Sequence, residues 1–423
     1  MIFLVVALMI LLIILGLPVA FALGISSLVY LIIEGVNLSM VAQSLVRGVD
    51  SFTLLAVPFF LLVGELMNSG GITNKIIAMA RVMVGHFKGG LAQVNNVASI
   101  IFSGISGSAT ADTVALGSVL IPAMEKEGYD KKFSAAITAA SSIVGPIIPP
   151  SITLIIFGIV TSQPIGPLLI AGIIPGLLTA ISLMGYTYFI SVKRNYPSYP
   201  RSTFREARKT FSSGIPALLL PVIIVFGIIS GVFTPTESAA IAVLYGIIIT
   251  VFYYKNVNVR SFGSILKKTS YESAKILFIL AAATIFAWVV TKSRISDTLG
   301  DFIFTFSTNP TVIITLIIVF LFIIGLFMLP SEAIIVFAPI LTPIVMQVGI
   351  NPIHFGVLMV LTLTIGGATP PVGILLYIVA DIAKLSFGKL VKEMLPLYIP
   401  LVAAVLLTAY IPYLSLVIVK LFF

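Results

Sequence analysis

Apolar residues run along this chain in blocks of about 18 to 25, without alternation of period two, and polar residues gather in short clusters between the blocks. A helix needs about that length to cross roughly 30 Å of hydrocarbon at about 1.5 Å per residue, and the missing alternation excludes barrel strands. The pattern predicts an all-α integral membrane protein. Full spans are expected near 52–69, 166–191, 214–230, 236–254 and 271–290, with amphipathic interfacial helices at 71–84 and 292–305. The opening run MIFLVVALMILLIILG lacks a basic leader and a small-residue cleavage site, so it reads as a retained first helix and not a signal peptide.

The pattern then repeats itself. FSAAITAASSIVGPIIPPSI, from Phe133, aligns without a gap to HFGVLMVLTLTIGGATPPVG, from His354, 221 residues further on (354 minus 133). The same register pairs Gly145 with Gly366, Pro149 and Pro150 with Pro370 and Pro371, Gly104 with Gly325, and Gly128 with Gly349. Glycine and proline in mid-block predict two broken helices, 133–161 and 354–382. Before each, residues 90–122 and 311–345 hold two half-length apolar stretches around a Gly/Ser-rich centre or around GLFMLPSE. Each half is too short to cross, so each pair predicts a re-entrant helical hairpin. Five spans, an odd number, lie between the hairpins, namely the broken helix 133–161 and those at 166–191, 214–230, 236–254 and 271–290, so the hairpins enter from opposite faces. The expectation is an inverted structural repeat, 1–192 and 231–423, joined by a connector at 193–213 and a linking helix at 214–230.

Composition agrees. With 59% hydrophobic and 9% charged residues and a mean hydropathy of +1.19 over 423 residues, the chain does not wrap into a soluble particle. The formal charge of +9 resides in loops: Lys193, Arg194, Arg201, Arg205, Arg208 and Lys209 face a single Glu206 in the connector. That is membrane orientation and not a nucleic-acid surface, and it puts the connector and the N-terminus in the cytoplasm and the C-terminus in the periplasm. The absence of cysteine excludes disulfides and thiolate chemistry. A membrane enzyme would need a nucleophile and base or a metal set, and the chain has no GxSxG, no HExxH and no paired carboxylates at helical spacing within a span.

Chemistry is expected where the helices break, because unpaired carbonyls away from water need a partner. Sodium takes several oxygens, and hairpin-tip carbonyls with Ser and Thr hydroxyls supply them. One site joins Ser103, Gly104 and Ser106 to Ser142, Gly145 and Pro146; a second joins Gly325 and Met328 to Thr364, Gly366 and Thr369. A single such break would read as a proline kink with back-bonded hydroxyls; two register-matched pairs favour ions. An anion would meet the half-helix that starts near Ser108, with Ser106, Ser108, Thr110 and Asp112 as substrate-binding residues. Asp112 has three possible roles, as helix cap, as tip-ordering residue or as acceptor for substrate hydroxyls. Glu237 and Glu332 read equally as first-turn caps or site residues, whereas Asp381, Glu65 and Glu393 are expected to be solvated near span ends. His86 and His354 fall at interfaces without a relay partner, and Asn95 and Asn96 read as interhelical packing.

The runs GISGSATADTVALGSVLIPAMEKEGYDKKFSAAITAASSIVGPIIPPS from Gly104, GVFTPTESAAIAVLYG from Gly231 and TIGGATPPVGILLY from Thr364 resemble the large membrane subunit of TRAP transporters, the tripartite ATP-independent periplasmic systems. The resemblance covers essentially the whole chain. It implies an elevator-type carrier of the ion-transporter superfamily in a bacterial inner membrane, coupled to two or more sodium ions. It further implies two partners, a small four-helix membrane subunit as a separate chain and a periplasmic substrate-binding protein, and an organic-acid substrate of the sialic acid or C4-dicarboxylate class. Many dicarboxylate members carry a Pro-Ala-Thr pattern near the position of Thr110 to Asp112; its absence here leans toward a sugar acid. The alternative is a stand-alone sodium- or proton-coupled carboxylate carrier with no binding protein.

Overall fold

Several helices in this protein start where a short polar side chain takes up the first free amides. Asn309 and Asn351 each precede a proline, and their Oδ1 atoms accept from the N–H groups of Thr311 and Ile353, both at 2.9 Å. Thr203 and Thr234 form capping boxes with Glu206 and Glu237. In a computed structural model that describes residues 2–423, these starts organise a wholly helical chain with no strand among the described residues. Among the described residues seven helices are long and apolar enough to cross a membrane, or eight if Ile295–Phe306 and Pro310–Gly325, which meet at 117°, form one span.

Two packed groups emerge. Ile2–Ile14, Val19–Ile33, Ser39–Val49, Ala56–Ser69 and Pro235–Ile247 gather around Val259–Ser293, whose 35 residues reach about 50 Å. The other group contains two helical hairpins, Gly90–Ser106 with Ala109–Lys126 and Pro310–Gly325 with Pro330–Gln347. Each hairpin packs on a helix interrupted in its middle: Lys131–Ser141 and Ile152–Val160 flank one break, Pro352–Gly366 and Ile374–Ala383 the other. Ile72–Val84 and Ile295–Phe306 are the arms that lead into the hairpins.

Some boundaries differ from expectation for identifiable reasons. The linking helix runs Phe204–Ile229 and not 214–230, because the Thr203–Glu206 box starts it early and puts Arg205, Arg208 and Lys209 on its first turns. The span expected at 166–191 divides at Gly172 into Ile165–Ala171 and Ile173–Lys193. Glu65 and Glu393 are not solvated: Glu65 pairs with Lys268 at 2.8 Å and Glu393 with Arg194 at 2.6 Å, each across helices, where partial burial rewards a partner. Asp381 is solvated, with Lys384 beside it at 2.9 Å. His354 is buried, its Nδ1 3.2 Å from the Ser415 hydroxyl.

Arg194 ties three segments together. Besides Glu393 it lies 3.5 Å from Asp130, in the loop that leaves the first hairpin, and its guanidinium stands over the Phe133 ring. Replacing Arg194 with alanine is expected to lower stability by about 1 to 2 kcal/mol, combining a partly screened ion pair with lost packing of the side-chain stem. A thermal-unfolding midpoint unchanged from wild type would refute this.

Candidate substrate and ion site

A cavity of about 230 Å3 lies between the hairpin tips and Val259–Ser293. Its wall is made by the first turns of four helices, at Ala109–Thr110, Ile152–Thr153, Pro330–Ser331 and Ile374–Leu375; the hairpin members Ala109–Lys126 and Pro330–Gln347 have 18 residues each, longer than the half-length stretches expected, and Pro330–Gln347 is itself long and apolar enough to cross. Each exists because the sequence stops a helix in mid-block and restarts it. Gly107, with φ +61, turns the first tip, and Ser108 then caps the next helix by accepting from Ala111 N–H at 3.4 Å. Ser151 follows Pro149 and Pro150 and caps in the same way, accepting from Leu154 N–H at 3.1 Å. Pro330 occupies the first helical position of the third, and Gly373, φ +53, precedes the fourth.

Every such terminus presents unpaired N–H groups and roughly half a positive charge, so four together supply about two charges of positive field. Three charged side chains also line the cavity, Glu272, Lys275 and Glu332, with a net charge of minus one. The helix ends outweigh that, and the cavity favours an anion.

Of the expected substrate residues, Ser108 and Thr110 line the cavity, with their hydroxyls 3.0 Å apart. Ser106 and Asp112 sit behind them. The Ser106 hydroxyl donates to Asp112 Oδ1, and Asp112 is fully buried with Oδ2 lacking any hydrogen-bond partner. Since Ser108 is the cap, Asp112 is not; it orders the tip and directs a free carboxylate oxygen at Gly145, where an added Cβ would touch it. Glu237 only caps its helix, whereas Glu332 reaches the cavity.

The two expected ion sites are assembled differently. In the first, the Ser103 hydroxyl donates to Ile100 O at 2.6 Å and the Ser142 hydroxyl to Thr138 O at 2.8 Å. Pro146 O already accepts from Ser151 and Thr153, and Gly104 faces Pro221 of the linking helix. In the second, Thr364 donates to Val360 O at 2.7 Å and Thr369 to Ile365 O at 2.8 Å. Those hydroxyls are back-bonded, as a proline kink alone would leave them, yet a donating hydroxyl keeps its lone pairs for a cation. Gly325 and Gly366 touch backbone to backbone, and Met328 and Thr364 line the cavity. The orphaned Asp112 Oδ2 distinguishes the first site: a buried carboxylate oxygen without a donor suits a cation. No cluster of three or more His, Cys, Asp or Glu able to hold a metal occurs among the described residues.

Asn95 and Asn96 bind the first hairpin to its neighbours, donating to Thr138 at 2.6 Å and Thr187 at 2.9 Å. Sequence reasoning missed Thr153, Ser331, Glu272 and Lys275. For the last two a signal was present: the expected span 271–290 contains a carboxylate and an ammonium three residues apart, and ionisable residues within a span are functional candidates.

Long apolar helices around a central cavity ringed by half-helix N-termini define a polytopic membrane transporter. The chain belongs to the DctM component family of tripartite ATP-independent periplasmic transporters, whose family model matches residues 6–414. It is 42% identical to the sialic acid TRAP transporter large permease protein SiaM of Vibrio cholerae, over 96% of both chains. To the C4-dicarboxylate TRAP transporter large permease protein DctM of Rhodobacter capsulatus it is 33% identical, over 95% of this chain and 94% of that one. The fold is similar to that of the YdaH transporter of Alcanivorax borkumensis, with a TM-score of 0.66 at 15% identity, over 90% of this chain and 89% of that structure.

Proposed function

We propose that this protein is the large subunit of a sodium-coupled carrier that takes an organic acid across the bacterial inner membrane, working with a small membrane subunit and a periplasmic binding protein. The observation that carries the reading is the convergence of four helix N-termini, with hydroxyls from Ser108, Thr110 and Thr153, on one cavity. That environment suits a carboxylate with hydroxyl groups around it. The higher identity to the sialic acid relative favours a sugar acid over a C4-dicarboxylate. Coupling follows from Asp112, whose free oxygen would hold one sodium with Ser103, Ser106, Ser142, Gly145 and Pro146, and from the second tip, where Gly325, Met328, Thr364, Gly366 and Thr369 would hold another. A bound cation supplies the positive charge that keeps both tips ordered around an anion.

The two packed groups support an elevator. The hairpins and broken helices move as one body against the group built on Val259–Ser293, and the arms Ile72–Val84 and Ile295–Phe306 flex. The 221-residue register, with glycine and proline at matching breaks, supports two copies of inverted orientation, N-terminus in the cytoplasm and C-terminus in the periplasm. The test is uptake of N-acetylneuraminate and of succinate into proteoliposomes containing this chain, the small subunit and the binding protein. Sodium-dependent uptake that also requires the binding protein is expected; uptake that persists without either would overturn the tripartite reading.

A further inference from the structure

Lys275 is the only basic side chain that lines the cavity, among the described residues. It belongs to Val259–Ser293, in the packed group that carries no hairpin, so it stands opposite the helix ends and hydroxyls of the other group. Its ammonium donates to Glu272 Oε1 at 2.8 Å, lies 2.7 Å from Oε2, and sits 4.9 Å from the Tyr271 ring centroid. With side-chain exposures of 49% and 42%, this pair within one helical turn holds the lysine weakly. An ammonium has three donors, and this one can receive a second carboxylate.

Its level along the helix matters. Lys275 is about two turns beyond the exposed Lys267, toward the end of the helix that carries Arg260, Lys267 and Lys268, and beyond it Leu280, Ala283, Phe286 and Val290 are among the buried residues. The first hairpin tip also stands toward the basic face: Ser106 lies against Gly64, five residues from the end of Ala56–Ser69 and close in sequence to Lys75 and Arg81. The first tip therefore stands toward the end of Val259–Ser293 that carries Lys267 and Lys268, since Glu65 beside Gly64 pairs with Lys268, and the second tip lines the same cavity as Lys275.

We propose that Lys275 is a state-dependent specificity residue that receives the substrate's carboxylate when the hairpin tips stand at the basic end of the fixed helices, and at no other point of the path. The proposal rests on the acid-transport reading above and adds to it a cation that does not travel with the cargo. A contact made in one position only stabilises that position by its own free energy. Lys275 therefore sets the affinity for the acid on the basic, cytoplasmic side, while entry affinity is set elsewhere. Glu272 competes for the same ammonium and weakens the contact.

The experiment uses oriented proteoliposomes of the complete three-protein system with N-acetylneuraminate as probe, and measures half-saturation for entry and, by exchange, for the acid on the cytoplasmic side. Lys275→Ala is expected to raise the cytoplasmic-side value about tenfold and leave the entry value within about twofold, the size of one charge-assisted hydrogen bond. Lys275→Arg should restore most of the loss, and Glu272→Gln should shift the cytoplasmic-side value in the opposite direction. If Lys275→Ala fails to fold, the Glu272→Gln result carries the test. An unchanged cytoplasmic-side value, or equal shifts on both sides, would overturn the proposal while leaving acid transport intact. Wild-type vesicles that move no acid at all would overturn both.

Discussion

Asp112→Asn is expected to abolish sodium-dependent uptake and, in the same protein, to raise stability when sodium is absent. The two effects share one cause. Asp112 is fully buried, one oxygen holds the Ser106 hydroxyl, and the other has no partner and faces Gly145. A buried charge without compensation destabilises a fold, and a cation that reaches it recovers that cost. Asparagine keeps the shape and an acceptor for Ser106 and removes the charge. The sodium-free variant should therefore unfold later than wild type, by about 1 to 3 kcal/mol. Wild type should gain about 2.7 kcal/mol in sodium at 100 times the dissociation constant, and the variant little or none. Thermal unfolding in sodium chloride against choline chloride, beside vesicle uptake, reads both effects; a full sodium-induced shift in Asp112→Asn would assign the ion to other ligands.

Fold class was legible because the apolar block length speaks directly to membrane thickness, and because glycine and proline punctuate helices wherever they fall. Hence the tips near Gly107 and Met328 and the breaks near Gly145 and Gly366 could be named from the chain. Helix starts were less legible: the early start at Phe204 depends on a threonine and a glutamate three apart, inside a segment whose basic charge suggested a loop. The cavity was half legible. Ser108 and Thr110 follow a glycine turn in a polar run, so they stand out in sequence. Thr153 and Lys275 come from elements distant in sequence, and only tertiary packing brings them to the same space. Asp112 could be singled out as a buried acid, but that its cap role is taken by Ser108 is a matter of which side chain reaches the amide first.

The glycines that repeat between the copies do so for unlike reasons, and Gly366→Ala tests the difference. At Gly145 an added methyl would meet first the carboxylate of Asp112, a side chain, with the Ser108 carbonyl carbon further off at 3.2 Å. At Gly366 it would lie 2.7 Å from both the Cα and the carbonyl carbon of Gly325, and the reverse substitution would bring a methyl to 2.9 Å from Leu363 O. Backbone cannot swing aside, so the second hairpin must separate from its broken helix. Alanine in a helix would otherwise gain about 1 kcal/mol over glycine. Overpacking of a tight core costs about 1 to 3 kcal/mol and more where backbone must shift, so the net sign is destabilising, by about 2 kcal/mol or more. Gly388→Ala is the matched control: it is also helical and has nothing within 4 Å of the added methyl, so it should be neutral or slightly stabilising. Uptake should be lost in Gly366→Ala, because the cavity wall at Thr364, and with it the proposed second ion site, depends on that contact. A Gly366→Ala protein with the unfolding midpoint and uptake of Gly388→Ala would mean that this seam opens freely, and that the second hairpin is not bound to its broken helix during transport.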